Sequence, residues 1–434
     1  MKHNKPNTGE ATMDTRRIAN RLAAFGLASS LALVTGTALA IPFIQCPGDD
    51  LKSDGVTPGH DAVPEPTSPN YDPSVKCMHL IAGDGYVRMA DGREVYIFGF
   101  GDVTGVDEDK VMSQGMLHAT FPAPRIVLEE GQKFYLTLTN VGMVMRPDLF
   151  DPHTVHFHGF PNASTIFDGV PDNSISINMG SSLTYFYNIV EPGTYMYHCH
   201  VEAAEHMQMG MLGNLYVHAA QDRLPDGTTF ANGFVHHTGN HYAYDDQDGS
   251  TRYDVEYPIQ IGSFDVEFHD ADENVQPLPF ADMKDDYGML NGRGYPDTVD
   301  PNPVTPPTKN GNFPSQVEDS RIVAKQGQRI LLRISNLNVT RFYTLRTLGL
   351  DMEVIGQGAR QLRGPDPDGN GPLLGKNVYY KTNSVTLGGG EAIDVIIDTT
   401  GVPPGKYFLY TTNLHYLSNN QEDYGGMMTE IIIN

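Results

Sequence analysis

Arg125-Ile-Val-Leu-Glu-Glu-Gly131-Gln132-Lys133-Phe-Tyr-Leu-Thr-Leu-Thr-Asn140 returns later in the chain as Arg321-Ile-Val-Ala-Lys-Gln-Gly327-Gln328-Arg329-Ile-Leu-Leu-Arg-Ile-Ser-Asn336. Both copies read as a strand, a tight turn at Gly-Gln and a second strand of alternating apolar residues. The correspondence continues. Glu191-Pro192-Gly193-Thr194-Tyr195 is echoed by Pro403-Pro404-Gly405-Lys406-Tyr407, and Gly210-Met211 by Gly426-Met427. Composition agrees: 45 Gly and 30 Pro punctuate short runs rich in Val, Ile, Thr, Tyr and Phe, which favours brief strands over long helices. With 39% apolar residues in 434, each copy has enough to bury a core of its own. The expectation is an all-β protein of two tandem β-sandwiches, at residues 81–222 and 259–434. Residues 41–80 read as an irregular extension, 223–258 as a surface linker, and Tyr295 to Pro314 as an insertion loop in the second sandwich.

Residues 1–40 carry the marks of a removable export signal. Arg16, Arg17 and Arg21 precede an apolar run from Leu22 to Val34, and Ala38-Leu39-Ala40 offers small residues for cleavage. The run is too short to span a bilayer, and Thr15-Arg16-Arg17 leaves both the general and the twin-arginine routes open. The expected location is periplasmic or extracellular. Five of the 29 basic and two of the 53 acidic residues lie in this segment, so the remainder has a formal charge of −27. Such a surface repels nucleic acid and anionic lipid. Of the three cysteines, Cys46 and Cys77 are placed to close a disulfide loop in an oxidising compartment. Cys199 is then left as a lone thiol, for which metal ligation is an explanation.

Two clusters carry the chemistry: His153-Thr-Val-His156-Phe-His158-Gly159, and His198-Cys199-His200 followed by His206-Met-Gln-Met-Gly-Met211. On strands, His156 and His158 share one face, as do His198 and His200, with Cys199 directed to the other. Two metal faces result. On the first, a Cys thiolate, two imidazoles and a weak thioether form the trigonal set that suits copper cycling between two oxidation states. Cys199, His206, Met211 and His153 supply it. Met211 is preferred over Met207 and Met209 because it follows Gly210. On the second, His156, His158, His198 and His200 offer four imidazoles for one or two further metals. A zinc site fits less well, because the Cys-His-His-Met set is softer than zinc's usual ligands.

The first copy resembles a copper-bearing domain of the multicopper oxidase family, which includes laccases. The resemblance rests on His156-Phe-His158-Gly, Asp168-Gly169-Val170-Pro171 and Gly193-Thr-Tyr-Met-Tyr-His198-Cys-His200, in that order. It implies tandem cupredoxin-like Greek-key domains, with type 1 copper at His153, Cys199, His206 and Met211. It also implies that His156, His158, His198 and His200 form half of a type 2/type 3 trinuclear cluster that reduces dioxygen. Electrons from a small-molecule or protein donor would then pass through His198-Cys199-His200 to that cluster. By analogy with two-domain members, the resemblance suggests a homotrimer.

Two features depart from the family pattern. The step from Cys199 to His206 covers seven positions where laccase-type sites usually have five. Aligning the repeats also puts Tyr343, Arg346 and Leu348 where His153, His156 and His158 stand, and Tyr410-Thr411-Thr412 where His198-Cys199-His200 stand. The second copy has lost its ligands. His236, His237, His241, His269 and His415 lie outside any His-x-His pair and remain candidates for completing a simpler mono- or dinuclear site. The functional expectation is a copper-dependent oxidoreductase. A blue-copper electron carrier or copper-handling protein and a nitrite-reductase-like enzyme stand as alternatives.

Overall fold

The computed structural model describes residues 41–161, 163–276, 279–365 and 375–434. The export segment expected at 1–40 lies outside them. The first sandwich comprises β1 (Val75–Arg88), β2 (Glu94–Asp102), β3 (Ala123–Glu129), β4 (Lys133–Gly142), β5 (His156–His158), β6 (Ser182–Asn188), β7 (Gly193–His198) and β8 (Leu212–His218). They form two sheets of order β2-β1-β4-β6 and β3-β8-β7-β5. A short hairpin of β9 (His241–Tyr242) and β10 (Arg252–Tyr253) follows.

The second sandwich runs through β11 (Val255–Phe264), β12 (Tyr287–Leu290), β13 (Ile322–Ala324), β14 (Arg329–Asn336), β15 (Tyr343–Thr347), β16 (Met352–Gln357) and β17 (Arg360–Gln361). It closes with β18 (Tyr380–Thr382), β19 (Ser384–Leu387), β20 (Glu391–Asp398), β21 (Gly405–Thr411) and β22 (Met428–Ile433). Its sheets are β12-β11-β14-β20-β16-β17, with β18 on β16, and β13-β22-β21-β15-β19.

The repeat is visible strand for strand. β1 pairs in parallel with β4 as β11 does with β14, and β3 with β8 as β13 does with β22. Gly131 and Gly327, at the shared turn, both have φ of +90°, a conformation other residues adopt only under strain. Alternation sets the cores. Phe134, Leu136 and Leu138 of β4 point into the first, and Ile330, Leu332 and Ile334 of β14 into the second.

The other face of β14 is buried as well, because the first sandwich covers it. Arg333 and Ser335, both fully buried, therefore need partners. Arg333 donates through Nε to Glu256 at 2.5 Å and through Nη1 to the Thr194 hydroxyl at 3.1 Å, while Ser335 donates to Asn214 Oδ1 at 2.5 Å. Around them a mixed apolar layer, with Phe121, Met196 and Leu212 from the first sandwich and Phe264, Met289 and Leu337 from the second, joins the two. The Tyr295–Pro314 segment also ties them. Buried Arg293 donates to the carbonyls of Asp297, Asp300 and Asn302, and Asn310 exchanges two hydrogen bonds with the Tyr86 main chain.

Two boundaries differ from the sequence reading. β1 begins at Val75, not 81, because residues 75–80 pair with β4 and Cys77 is bridged to Cys46. β11 begins at Val255, not 259, inside the expected linker. Glu256 and Pro258 disguise it, since the charge is held by Arg333 across the sheet and the proline sits within the parallel pairing with β14.

Candidate metal centre

β5 and β7 lie side by side with His156 opposite His198, and the chain leaves β7 at Cys199. The Cys199 amide donates to the Met211 carbonyl at 3.1 Å, and the Met211 amide donates to the His206 carbonyl at 2.8 Å, closing the loop back onto β8. Between them Ala203–Gln208 forms a short helix. Its residues are mostly good helix formers. The helix carries His206 over the Cys199 sulfur.

Three ligand atoms converge there. Cys199 Sγ lies 3.2 Å from His206 Nδ1 and 3.8 Å from His153 Nδ1. The sulfur and one nitrogen of each imidazole lie within 4.8 Å of one another, and all three side chains are fully buried. Burial by itself would raise the Cys199 thiol, but the charge on His206 and hydrogen bonds from His153 and His206 hold it well below its ordinary value. His206, which burial would lower, is pushed up to about 10 by the Cys199 charge and by Asp151. The donor set thus already gathers thiolate charge where a soft cation would sit. His153 Nε2 and His206 Nε2 have no hydrogen-bond partner among the described residues. Met211 and Met209 are both fully buried in the core that holds Cys199, whereas Met207 lines a separate cavity.

That cavity, of about 580 Å³, is the second face. His156, His158, His198 and His200 form one wall, with ring centroids of neighbouring pairs 5.1 to 6.0 Å apart. One nitrogen from each of His156, His158 and His198 falls within a common 4.8 Å. Two rings are already oriented. His156 Nδ1 donates to the Asp168 carbonyl at 2.6 Å and His198 Nδ1 to the Cys199 carbonyl at 2.8 Å, leaving each Nε2 free to bind a metal. Burial lowers His198 to about 3, and burial with the neighbouring His156 and His200 lowers His158, so both favour the neutral ligand form. These two donor sets fit copper: soft sulfur with imidazole on one face, imidazole alone on the other.

The opposite wall belongs to the second sandwich and includes Leu337, Asn338, Thr340, Arg341 and Gly390. It supplies no histidine. His269 is buried beside the Tyr96 and Gln208 carbonyls, His236 lies under Tyr242, and His237 and His241 face Asp226 and Asp222. His415 sits in an exposed turn. None of the five lines the cavity.

The second sandwich preserves the first site's frame and fills it. Arg346 stands opposite Tyr410 as His156 does opposite His198. The Thr411 amide donates to the Met427 carbonyl at 3.0 Å, and the Met427 amide to Tyr416 at 2.8 Å, repeating the Cys199, Met211 and His206 pattern. Tyr343 and Tyr416, with centroids 5.3 Å apart, occupy the places of His153 and His206, whose centroids are 4.9 Å apart. Two phenol rings and a threonine stand where the first copy has His153, His206 and Cys199.

Sequence reasoning missed the carboxylates beside His206. Asp151 Oδ2 lies 3.8 Å from His206 Nε2, and Glu202 offers an oxygen to the same group. Glu202 has φ of +44°, in the left-handed region a residue other than glycine occupies only under strain. It occupies the position before the Ala203–Gln208 helix, without a side-chain cap, which no local pattern discloses.

Two family models, both described as multicopper oxidase, match residues 105–222 and 269–434. The laccase abr2 of Aspergillus fumigatus is 32% identical over 125 residues, which cover 28% of this chain and 19% of the relative. The multicopper oxidase MmcO of Mycobacterium tuberculosis is 33% identical over 82 residues, 19% of this chain and 15% of the relative. Each match therefore spans less than a fifth of the relative. Among solved structures, a blue copper oxidase from Nitrosomonas europaea superposes with a TM-score of 0.57 at 21% identity, covering 83% of this chain and 86% of the other. A copper nitrite reductase from the same organism gives 0.53 at 16% identity, covering 83% and 94%. At such identities the likeness is one of fold.

Proposed function

The chain belongs to the multicopper oxidase family, and on that premise we propose that it is a copper-dependent oxidoreductase that takes single electrons at a type 1 site and delivers them to the histidine face for dioxygen reduction. His153, Cys199, His206 and Met211 would hold the type 1 copper, and His156, His158, His198 and His200 the second site. Copper bound there supplies one-electron redox chemistry at both faces. The observation that carries this reading is the position of His198-Cys199-His200: the sulfur lies in the buried three-ligand pocket, while the flanking imidazoles line the cavity.

The residues themselves provide the link. A covalent path runs from the Cys199 sulfur through its main chain to either imidazole. The 2.8 Å hydrogen bond from His198 Nδ1 to the Cys199 carbonyl adds a shorter route to one of them. Asp168 fixes the His156 ring through its carbonyl, so the imidazole need not reorient on binding metal. On the outer side, Asp151 lies against His206, where a reductant would deliver its electron. Export is part of the proposal. The leader-like segment at 1–40 and the Cys46–Cys77 bridge both suit an oxidising compartment. No helix among the described residues is long and apolar enough to cross a membrane.

A second reading, a blue-copper electron carrier, is favoured by the wall facing the imidazoles, which brings no histidine. Dioxygen uptake separates the two. The copper-loaded protein is expected to consume dioxygen in step with donor oxidation, and His156→Ala to keep its blue absorption while losing that uptake and part of its copper. A blue protein that consumes no dioxygen with any competent reductant would leave the carrier.

A further inference from the structure

A line of aromatic rings leads from the His206 imidazole toward the surface. Phe98 meets that imidazole edge-on with centroids 5.8 Å apart, Tyr96 meets Phe98 edge-on at 5.7 Å, and Tyr86 stands 5.4 Å from Tyr96. Each step lies within the roughly 4.5–7 Å at which aromatic rings touch. The register of β1 and β2 builds the line. Tyr86 is paired with Tyr96 and Asp84 with Phe98, so the four side chains share one face of the hairpin. All three rings are buried.

Each phenol has a carboxylate to take its proton. Tyr96 donates to Asp84 Oδ2 at 3.0 Å and Tyr86 to Glu273 Oε1 at 2.6 Å. Burial raises both phenols, which therefore stay protonated until they are oxidised. Burial also raises the Asp84 carboxyl, making it a stronger base toward Tyr96. It acts on Glu273 in the same sense, but hydrogen bonds from Lys309 and Tyr86 hold that carboxyl below its ordinary value. Lys309 and Glu273 are both partly exposed and mark the outer end of the line. The Lys309 ammonium sits 4.3 Å from the Tyr86 ring centroid, where it opposes positive charge on the ring. Loss of an electron from Tyr86 must therefore go with loss of its proton, and Glu273 is already hydrogen-bonded to receive it.

The internal repeat isolates the feature. The strand pairing that aligns Asn140 with Asn336 puts Ser263 at the place of Asp84, Asp265 at Tyr86, Asp286 at Tyr96 and Gly288 at Phe98. A Cβ on Gly288 would meet the Tyr416 side chain at 3.0 Å. The copy whose ligand positions hold Tyr343, Thr411 and Tyr416 thus carries no ring at any of the three places. Packing alone would be met by phenylalanine throughout; two phenols, each on a carboxylate, are more than packing requires.

We propose that Tyr86 and Tyr96 form a redox relay that carries electrons from the type 1 site at His206 to a strong one-electron oxidant at the surface beside Glu273. The proposal rests on the type 1 reading and adds an exit for electrons to it. The oxidant takes one electron from Tyr86 as the phenol proton passes to Glu273, leaving a neutral phenoxyl. An electron from Tyr96 refills Tyr86, which recovers its proton from Glu273, while Tyr96 passes its own proton to Asp84. The reduced type 1 site then supplies an electron past Phe98, and Tyr96 regains its proton from Asp84. The net change is one electron moved from copper(I) to the oxidant, with every proton back in place. The relay makes the type 1 site an electron source that quenches radicals formed at the outer surface.

The test uses the copper-loaded protein, reduced and free of dioxygen, with photogenerated tris(bipyridine)ruthenium(III) as the oxidant. The wild type is expected to show a transient phenoxyl absorption that decays as the blue band of oxidised type 1 copper grows. Tyr96→Phe should slow that growth by about tenfold or more and leave a longer-lived phenoxyl at Tyr86. Glu273→Gln, which leaves the core intact, should slow phenoxyl formation and change its solvent deuterium effect. Equal rates of blue-band growth in wild type, Tyr96→Phe and Glu273→Gln, at equal copper content, would overturn the relay alone. A wild type that forms no blue site would overturn the parent reading and the relay with it.

Discussion

At the scale of single residues, the proposed chemistry turns on a buried thiol set between two imidazoles. Cys199 is the one free cysteine among the described residues, it is fully buried, and two imidazole nitrogens approach its sulfur. A hydroxyl at that atom would keep the size and lose the donor that gives copper–thiolate sites their intense colour. Cys199→Ser is therefore expected to bind copper without the strong visible band, which an absorption spectrum of the reconstituted variant checks directly. The site's residue types were legible in the sequence because few chemistries use Cys, His and Met at such spacing. Asp151 was not, because it comes beside the His206 ring only through the fold.

At the scale of elements, the short strand β5 and the turn after it set the histidine face. Gly169, in the Asp-Gly-Val-Pro segment, has φ of +79°, and a Cβ there would meet the Val155 carbonyl at 2.2 Å. Its neighbour Asp168 supplies the carbonyl that orients His156. Gly169→Ala should cost about 1–3 kcal/mol of stability through backbone strain. It should also loosen the His156 ring, read as a lower urea midpoint together with reduced copper on the second face. The repeated strand, turn and strand were readable from alternation alone, since Phe134, Leu136 and Leu138 recur as Ile330, Leu332 and Ile334. The start of β11 was not, because Glu256 breaks the apolar pattern and becomes intelligible only when Arg333 is seen beside it.

At the scale of the whole molecule, the two sandwiches are joined by a chain of charges as well as by apolar contact. Glu256 accepts from Arg333, and His218 lies between Glu129 at 3.1 Å and Glu256 at 3.0 Å. Hydrogen bonds to those two carboxylates raise His218 from 6.5 to about 9. A raised folded-state value means that the stabilisation is fully present below the unfolded value near 6.5 and is lost as pH rises through about 9. The contribution is roughly 2–3 kcal/mol at the acid end of that window. The urea midpoint should thus fall between pH 6 and pH 9.5, and His218→Gln should flatten that fall. An equal slope in the variant would place the pH dependence elsewhere.

The same interface decides the account of function, because it closes a histidine-lined cavity with a wall that brings no histidine. The decisive measurement is full copper loading of the wild-type chain, counted per chain and resolved by electron paramagnetic resonance. One copper with the narrow hyperfine splitting of a thiolate-bound type 1 site is expected, with at least one further copper lacking it. Copper that shows no type 1 signal, or a single copper per chain with nothing on the histidine face, would contradict a two-site copper oxidoreductase.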